Sequence, residues 1–267
     1  MAHDPFLEFK TKQAEAWSFF APTAIFTTPV AGELVEFADV RAGERVLDVG
    51  TGTGVVAITA ARAGAKVSAI DLSAALIAEA RSNAAIAVLP EIDWHVGDAE
   101  ALPFEDRAFD VVLSQFGHIF APRAEVAIAE MRRVLRPGGR VVFASWPPEH
   151  LVGQMFQFFG SRLPPPPPGA SPPAQWGDVH VVRERLRPGF GMPTFRRGVM
   201  PFAAMSLPHY RAFLEQTIAP FRALVASLAD QPKELARLRA EFDAMAAPWY
   251  GANIVHQDFL MTRAYAR

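Results

Sequence analysis

The sequence predicts an α/β protein built on a doubly wound, mostly parallel sheet, and three observations carry this prediction. Short apolar runs alternate with helix-forming stretches between residues 46 and 146. The first run leads into an acid and three alternating glycines, Asp48-Val49-Gly50-Thr51-Gly52-Thr53-Gly54. The second run ends in another acid, Asp71. Strand, glycine turn, helix and strand in this order are typical of parallel units joined by right-handed crossovers.

The residues before the first strand predict two helices. Aromatic residues repeat at helical spacing over residues 6–20, and a second helix is expected over residues 29–39. The first helix could pack against the core or lie as a lid over a pocket, and the sequence leaves both open. Residues 1–29 are therefore treated as an N-terminal aromatic helical segment.

The cofactor-binding core is expected over residues 30–146. Strands are predicted at residues 46–49, 66–71, 93–96, 109–114 and 140–146. Helices are predicted at residues 55–62, 74–85 and 122–135, and residues 135–139 are expected to form a turn with glycine just past the helix end. The near-continuous apolar run over residues 109–114 is typical of a strand covered on both faces.

Composition changes at Pro147. Residues 147–192 are expected to be an insertion or lid, and the five consecutive prolines at residues 164–168 a stiff surface spacer. Residues 193–267 are expected to complete the sheet, with strands at residues 194–205 and 258–265, the last one antiparallel, and helices at residues 207–228 and 232–246. The whole is a seven-stranded, Rossmann-like sheet with a helical lid.

Composition narrows the function classes. The 267 residues are 51% hydrophobic and carry a net charge of −2, which argues against an extended nucleic-acid surface. No cysteine is present, so disulfides and cysteine nucleophiles are excluded. The seven histidines show no metal-binding spacing, and no metal is expected. No membrane-spanning segment or signal peptide is found in the sequence, so a cytoplasmic location is the expectation.

The glycine turn favours a particular kind of ligand. Gly50, Gly52 and Gly54 allow positive φ angles and let a ligand lie directly on the main chain. Asp71 follows the first glycine by about twenty residues, where a carboxylate accepts hydrogen bonds from ribose hydroxyls. The spacing is G-x-G-x-G rather than the G-x-G-x-x-G of dinucleotide folds. Asp48 would repel a pyrophosphate but suits a cationic cofactor with an amino group.

Further segments fall in order behind this turn and carry a resemblance. They are the acid-tipped second strand, Gly97-Asp98-Ala99-Glu100-Ala101-Leu102-Pro103-Phe104, Phe109-Asp110-Val111-Val112 and Leu135-Arg136-Pro137-Gly138-Gly139. Together they resemble class I S-adenosylmethionine-dependent methyltransferases. The chain is most similar to the small-molecule branch that includes the ubiquinone and menaquinone biosynthesis enzymes. The resemblance covers residues 30–146 and is specific for the cofactor, S-adenosyl-L-methionine, but hardly for the acceptor.

The resemblance implies roles for the matching positions. Asp48 would accept a hydrogen bond from the cofactor's amino group, and Asp71 would take the ribose hydroxyls. Asp98 would accept from the exocyclic amine of adenine. The remaining expected contacts to the cofactor come from Gly50, Thr51, Gly52 and Gly54 in the turn, Leu72 and Ala99 around the adenine, and Ser114 and Gln115 beside the sulfonium.

The chemistry of the acceptor is less defined by the sequence. His118 follows the fourth strand, where ligands bind in such sheets, and is either a general base or a packed loop histidine. Phe156, Phe158, Phe159 and Trp176 in the insertion would suit an apolar or aromatic acceptor, and core packing explains them equally well. The expected partner is a small-molecule acceptor, without nucleic acid or a membrane span.

Four alternatives stay open. A nicotinamide-dependent oxidoreductase would need the other glycine spacing. A nucleic-acid methyltransferase would prefer a basic face and an Asn/Asp-Pro-Pro-aromatic motif where this chain has Ser114-Gln115-Phe116-Gly117. An aminopropyltransferase would want more acids around a polyamine. A non-catalytic cofactor-binding protein would carry the same motifs.

Overall fold

The computed structural model describes residues 4–267. Its strands are β1 (Arg45–Val49), β2 (Lys66–Asp71), β3 (Asp93–Val96), β4 (Phe109–Gln115), β5 (Leu135–Ser145), β6 (Thr194–Ala203), β7 (Tyr250–Gly251) and β8 (Ile254–Tyr265). The sheet has the order β3-β2-β1-β4-β5-β8-β6, and the short β7 pairs with β8. β8 runs antiparallel to both of its long neighbours, and the other pairings from β3 to β5 are parallel. The predicted mostly parallel sheet with an antiparallel last strand is confirmed, but it has eight strands rather than seven, because the two-residue β7 also pairs with β8.

Helices cover this sheet and extend beyond it. They are α1 (Leu7–Trp17), α2 (Ala24–Phe37), α3 (Val55–Arg62), α4 (Ala74–Ile86), α5 (Ala124–Val134), α6 (Leu151–Gly160), α7 (Val179–Leu186), α8 (Leu207–Thr217), α9 (Ala219–Ser227) and α10 (Pro232–Ala246). Single 3-10 turns lie at Ser18–Thr23, His118–Phe120, Pro173–Gly177 and Ala247–Trp249. Within residues 4–267, no helix combines the length and the apolar character needed to span a bilayer.

The strand order places a ligand crevice at one edge of the sheet. β1 lies between β2 and β4. The sheet continues on one side of β1 through β2 and β3 and on the other side through β4 and β5, so the winding direction reverses between β1 and β4. Val46, Leu47 and Val49 of β1 and Val111–Leu113 of β4 are fully buried, because helices cover both faces. In sheets of this kind, ligands bind at the carboxyl ends of the strands where the winding direction reverses.

A second hydrophobic core forms a cap beyond that edge. The pairing of β6 with β8 continues from Arg197–Leu260 to Ala203–Ile254, past Ser145 where β5 ends. The protruding strand ends pack with α6, α8, α9 and α10 around buried aromatic side chains, namely Phe158, Phe159, Phe202, Tyr210, Phe221 and Phe242. We call these four helices and two strand ends the helical cap. It combines α6 of the predicted insertion with the C-terminal helices.

The glycine turn and its flanking elements match the sequence closely. Helix α3 and strands β2 and β3 begin and end at the predicted residues, and α4 exceeds its prediction by one residue. Residues 164–168 form neither helix nor strand, as the proline run predicts. The predicted turn at residues 135–139 forms the first part of strand β5. This part of the strand is irregular, because the pairing with β4 shifts register between Phe109 and Val111.

Several predicted elements were wrong in their bounds. The second helix begins at Ala24 rather than at residue 29. The helix expected over residues 207–228 is two helices, broken at Ile218, whose φ of −105° and ψ of 112° are extended. Pro220 has no N–H to donate and its ring clashes with the preceding turn, so it is tolerated only at the start of α9. The last strand begins at Ile254 rather than at residue 258, because β6 supplies pairing partners along the whole length of β8.

Candidate functional site

The glycine turn after β1 meets the loop after β4 backbone to backbone. Gly50 has a φ of +69°, and a Cβ added to it would lie 2.7 Å from Cα of Gly117. A Cβ added to Gly117 would lie 2.6 Å from the carbonyl oxygen of Gly50. Both positions therefore require glycine. Gly117 was not singled out by the sequence, because a single glycine in a loop carries no spacing signal.

Of the three glycines in the turn, Gly52 alone faces open space. Its φ is +56°, and a Cβ added to it would meet no atom of the described residues within 4 Å. Gly54 starts helix α3 with a φ of +86°, and its added Cβ would lie 2.9 Å from the Trp94 ring and 3.1 Å from Cβ of Ala80. The space beside the Gly54 Cα is thus taken up by close packing against Trp94 and Ala80. The main chain at Gly52 provides an open floor at the carboxyl edge.

Asp48 is hydrogen-bonded to Thr51 of the glycine turn and has one unsatisfied carboxylate oxygen. Its Oδ2 accepts hydrogen bonds from Thr51 Oγ1 at 2.6 Å and from the backbone N–H of Ala57 at 3.0 Å. Its Oδ1 is buried and has no partner among residues 4–267. Burial, with a smaller contribution from the Asp71 carboxylate, raises the pKa of Asp48 to about 7, although the hydrogen bonds from Thr51 and Ala57 oppose the rise. Because a buried polar atom without a partner is costly, Oδ1 suits a cationic hydrogen-bond donor.

Asp71 ends β2 beside the glycine turn. Its Oδ2 accepts from the backbone N–H of Gly52 at 2.8 Å, and its Oδ1 accepts from the N–H of Ser73 at 2.9 Å. Burial raises the pKa of Asp71, and backbone hydrogen bonds from Ser73, Gly52 and Leu72 oppose the rise. Each carboxylate oxygen can accept a second hydrogen bond, so capacity for two hydroxyl groups remains. Leu72 is half-buried next to it.

Asp98 follows β3 and is joined to the N-terminal helix. Its Oδ2 lies 2.6 Å from Lys10 Nζ, and its Oδ1 accepts from the backbone N–H of Glu100 at 2.9 Å. Lys10 Nζ also contacts Asp4 Oδ2 at 2.8 Å and Glu100 Oε2 at 2.6 Å. These three carboxylates are close enough to ligate a metal, and here they surround the Lys10 ammonium. Ala99 is half-buried beside Asp98.

The two residues that end β4 differ in what they offer. Ser114 is fully buried, and its Oγ donates to the carbonyl of Val49 at 2.6 Å and accepts from the N–H of His118 at 3.1 Å. The Ser114 hydroxyl therefore ties β1 to the loop after β4. Gln115 is half-buried, and its Nε2 donates to the carbonyl of Thr27 at 2.9 Å, while its Oε1 has no partner among the described residues.

His118 points into the protein, which weighs against its expected role as a base. Its side chain is buried between Phe143 and Trp176, with ring centroids at 4.5 and 4.7 Å. Burial, together with the positive charge of Arg185, lowers the pKa of His118 to about 3. Nδ1 lies 3.0 Å from Ser114 Oγ, whose proton is donated to Val49, so Nδ1 carries the ring proton. The ring is thus a neutral, enclosed packing group.

Replacing His118 with alanine is expected to lower stability and to leave the chemical step intact. Removing a buried ring of this size leaves a cavity and costs about 2–4 kcal/mol. Because the unfolded ring protonates below about pH 6.5 and the buried ring does not, its contribution is present above that pH and fades as the pH falls. Denaturant unfolding at pH 7.5 and pH 5.5 measures both effects. His256→Ala, at an exposed position of β8, is the control. A large loss of turnover in folded His118→Ala protein would show that His118 takes part in catalysis.

The aromatic side chains of the insertion lie mainly in cores. Phe158 and Phe159 belong to the core of the helical cap, and Trp176 is fully buried against His118. Phe156 is half-buried, with its ring centroid 6.0 Å from that of Phe120. The core-packing alternative therefore holds for the first three. Phe116, which the sequence did not single out, has a φ of +61° and stacks on Trp146 at 3.8 Å, so the loop after β4 is tightly fixed.

Known proteins resemble this chain over the same elements. A family model of the methyltransferase domain matches residues 46–139. An uncharacterized protein of Mycobacterium tuberculosis is 33% identical over 258 residues, which cover 95% of this chain and 94% of that protein. The aklanonic acid methyltransferase DauC of a Streptomyces species is 37% identical over 164 residues, covering 59% of this chain and 73% of DauC. The crystal structure of YcgJ from Bacillus subtilis shares the fold, with a TM-score of 0.61 at 18% identity, covering 89% of this chain and 97% of YcgJ.

Proposed function

The chain belongs to the class I S-adenosylmethionine-dependent methyltransferases, and from that premise we propose that it methylates a small acceptor with an apolar or aromatic body. S-Adenosylmethionine is its cofactor. When bound, the cofactor supplies a methyl group activated on a sulfonium sulfur. The protein has to hold the two reactants in line, exclude water and leave the methyl group accessible to one acceptor atom.

One observation supports the placement of the cofactor above all others. The open floor at Gly52 follows Thr51, which donates to Asp48 Oδ2, and Gly52 itself donates its N–H to Asp71 Oδ2. The other oxygen of Asp48, Oδ1, is buried without a partner among the described residues. This set fits the group, because a cationic amine would satisfy Oδ1 and ribose hydroxyls would find free acceptor capacity on Asp71. Asp48 would hold the amine, Asp71 the ribose, and Leu72, Asp98 and Ala99 the adenine. Gln115 would border the reacting centre.

An apolar groove supports the proposed acceptor class. It has a volume of about 360 Å³ and lies between α2, the end of β6 and α8. Phe26 stacks on Phe202 at 3.7 Å and meets Phe213 edge-on at 5.5 Å, and His209 and Asn253 add polar atoms to the lining. Sites for small apolar ligands have this character, with aromatic walls and few polar groups.

The groove lies next to the carboxyl edge of the sheet. The carbonyl of Thr27 accepts the hydrogen bond from Gln115, the last residue of β4, and Phe26 immediately precedes Thr27. An acceptor in the groove would therefore approach the cofactor from the side of α2. Positioning of this kind can lower a barrier by about 7–11 kcal/mol without a chemical group from the protein.

Transfer of a labelled methyl group tests the proposed function. The purified protein is incubated with methyl-labelled S-adenosylmethionine and a metabolite extract, which is then separated by polarity and size. We expect the label in small, organic-soluble products. Binding of the cofactor without any transfer would favour a non-catalytic binding protein. Calorimetric binding of NAD in place of S-adenosylhomocysteine would favour an oxidoreductase.

Truncating a side chain that lines the groove is expected to weaken binding of the acceptor and to leave binding of the cofactor unchanged. Phe213→Ala removes one aromatic wall, and we expect KM for the labelled acceptor fraction to rise at least about tenfold, the loss expected for a large apolar contact. The KM for S-adenosylmethionine should stay unchanged. Phe19→Ala is the matched control, because Phe19 is exposed and stacks on Arg222 outside the groove lining. Equal acceptor KM values in both variants would remove the groove from the acceptor site.

A further inference from the structure

Lys10 is a buried charge on the N-terminal helix α1, whose other residues are half-buried or exposed. It lies on α1 one turn after Phe6, on the face that is turned inward, and its side chain is 5% exposed. Burial alone would lower the pKa of Lys10, but hydrogen bonds with Asp4, Asp98 and Glu100 raise it above its ordinary value. The ammonium therefore stays charged while out of water, which requires partners as close as those observed.

The partners of Lys10 come from distant parts of the chain. Asp98 and Glu100 are 88 and 90 residues away and belong to the loop after β3. Arg123 donates to the same Glu100 through Nε at 2.7 Å and approaches Asp4 at 3.5 Å. Two cations and three carboxylates thus form one network, which joins α1 to the loop that carries Asp98.

The rest of this helix crosses the same edge of the sheet. Trp17 at its end packs on Phe120 of the loop after β4, with ring centroids 4.4 Å apart. Phe6 at its beginning is buried. Helix α1 is therefore fixed at one end beside β3 and at the other beside β4, and it lies across the carboxyl edge between them.

We propose that Lys10 is a positioning residue that fixes α1 over the adenine end of the cofactor site and holds Asp98 in place. This rests on the proposed function, since it assigns Asp98 to the adenine. Asp98 Oδ2 keeps a free lone pair beside Lys10, so the ammonium and an adenine amine can share the carboxylate. The cofactor leaves when α1 lifts, and the Lys10 network sets how often that happens.

Replacement of Lys10 by methionine tests this role. Methionine keeps the length and the apolar stem but removes the charge, which leaves Asp4, Asp98 and Glu100 facing one another. We expect S-adenosylhomocysteine to dissociate at least about tenfold faster, which corresponds to roughly 1.4 kcal/mol. Lys10→Arg keeps the charge and should stay within about threefold of the wild type, because guanidinium also bonds to paired carboxylates. Dissociation is measured by rapid dilution of the complex into excess unlabelled ligand.

A control on the same helix separates this role from a general effect on α1. Lys12 is exposed and pairs with Glu8 on the surface, so Lys12→Met should leave dissociation unchanged. Hydrogen exchange of residues 7–17 without ligand should accelerate in Lys10→Met alone, and this readout does not depend on the cofactor. Unchanged dissociation and exchange in Lys10→Met would overturn the proposal. Tighter binding would also overturn it, because Lys10 would then compete with the ligand. Failure of the wild type to bind at all would instead contradict the proposed function.

Discussion

Replacing Gly52 with alanine is expected to weaken binding of S-adenosylhomocysteine by about 100-fold, a loss of roughly 2.7 kcal/mol. The Cβ would stand in open space above the main chain, with no other part of residues 4–267 within 4 Å. A ligand lying directly on the backbone would have to rise away from Asp48 and Asp71. The affinity is measured by calorimetry at constant pH.

The chain provides a matched control for the backbone strain of this change. Gly43 also has a positive φ, +84°, and also faces open space, but it lies in the turn before β1 at the opposite edge of the sheet. Each alanine should cost about 1–2 kcal/mol of stability, because a left-handed conformation is unfavourable for a residue with a Cβ. Only Gly52→Ala should lose the ligand. Similar affinities in the two variants would place the ligand elsewhere.

Replacing Asp48 with asparagine is expected to lower the affinity for S-adenosylhomocysteine and to raise the free energy of unfolding of the free protein. Because the pKa of Asp48 is raised to about 7 by burial, the carboxyl group must ionise before it can pair with a cationic amine. Affinity for S-adenosylhomocysteine should therefore rise about fivefold from pH 6 to pH 7, as the ionised fraction grows from about a tenth to about a half. The asparagine side chain cannot ionise, so the Asp48→Asn variant should bind at least about 100-fold more weakly at pH 7.5, as expected for a lost charged contact.

The same substitution should stabilise the free protein. A carboxyl group whose folded pKa lies near 7 and whose unfolded pKa lies near 3.8 supports folding below the lower value and loses that support as pH rises through 7. The asparagine has no such loss and still offers an oxygen to Thr51 and Ala57. Urea unfolding at pH 7.5 should show a gain of a few kcal/mol over the wild type. A variant that loses stability and keeps its affinity would show that Asp48 only caps the glycine turn. A change in the protonation of S-adenosylhomocysteine itself would alter the affinities of the wild type and of Asp48→Asn equally, so it cancels when the pH dependence of binding is compared between the two proteins.

The part of the fold predicted best from the sequence is the part with local signals. The unit from β1 to β2 follows from apolar runs, glycines and acids that are close in sequence, and the methyltransferase class that it indicated is confirmed. Pro220 is also a local signal, because proline favours the start of a helix, and the prediction of one helix over residues 207–228 did not take it into account. The helical cap depends on packing between α6 and the C-terminal helices, and that packing has no local signature.

Side-chain direction is what the sequence could not supply. It placed His118 correctly after β4, but the ring turns inward because Trp176 and Phe143 enclose it. It placed Ser114 beside the proposed reacting centre, but its hydroxyl is used by Val49 and His118. Lys10 could have been noticed as a charged residue on the inward face of an aromatic helix. Its partners lie too far along the chain to be paired with it from a single sequence.

The central claim is that the main chain at Gly52, flanked by Asp48 and Asp71, is the floor on which the cofactor lies. A crystal structure with S-adenosylhomocysteine tests it most directly. We predict the ribose hydroxyls at Asp71, the amine within hydrogen-bond distance of Asp48 Oδ1, and the adenine between Leu72 and Asp98. A ligand bound at another surface, with the space over Gly52 filled by the protein's own side chains, would contradict the claim.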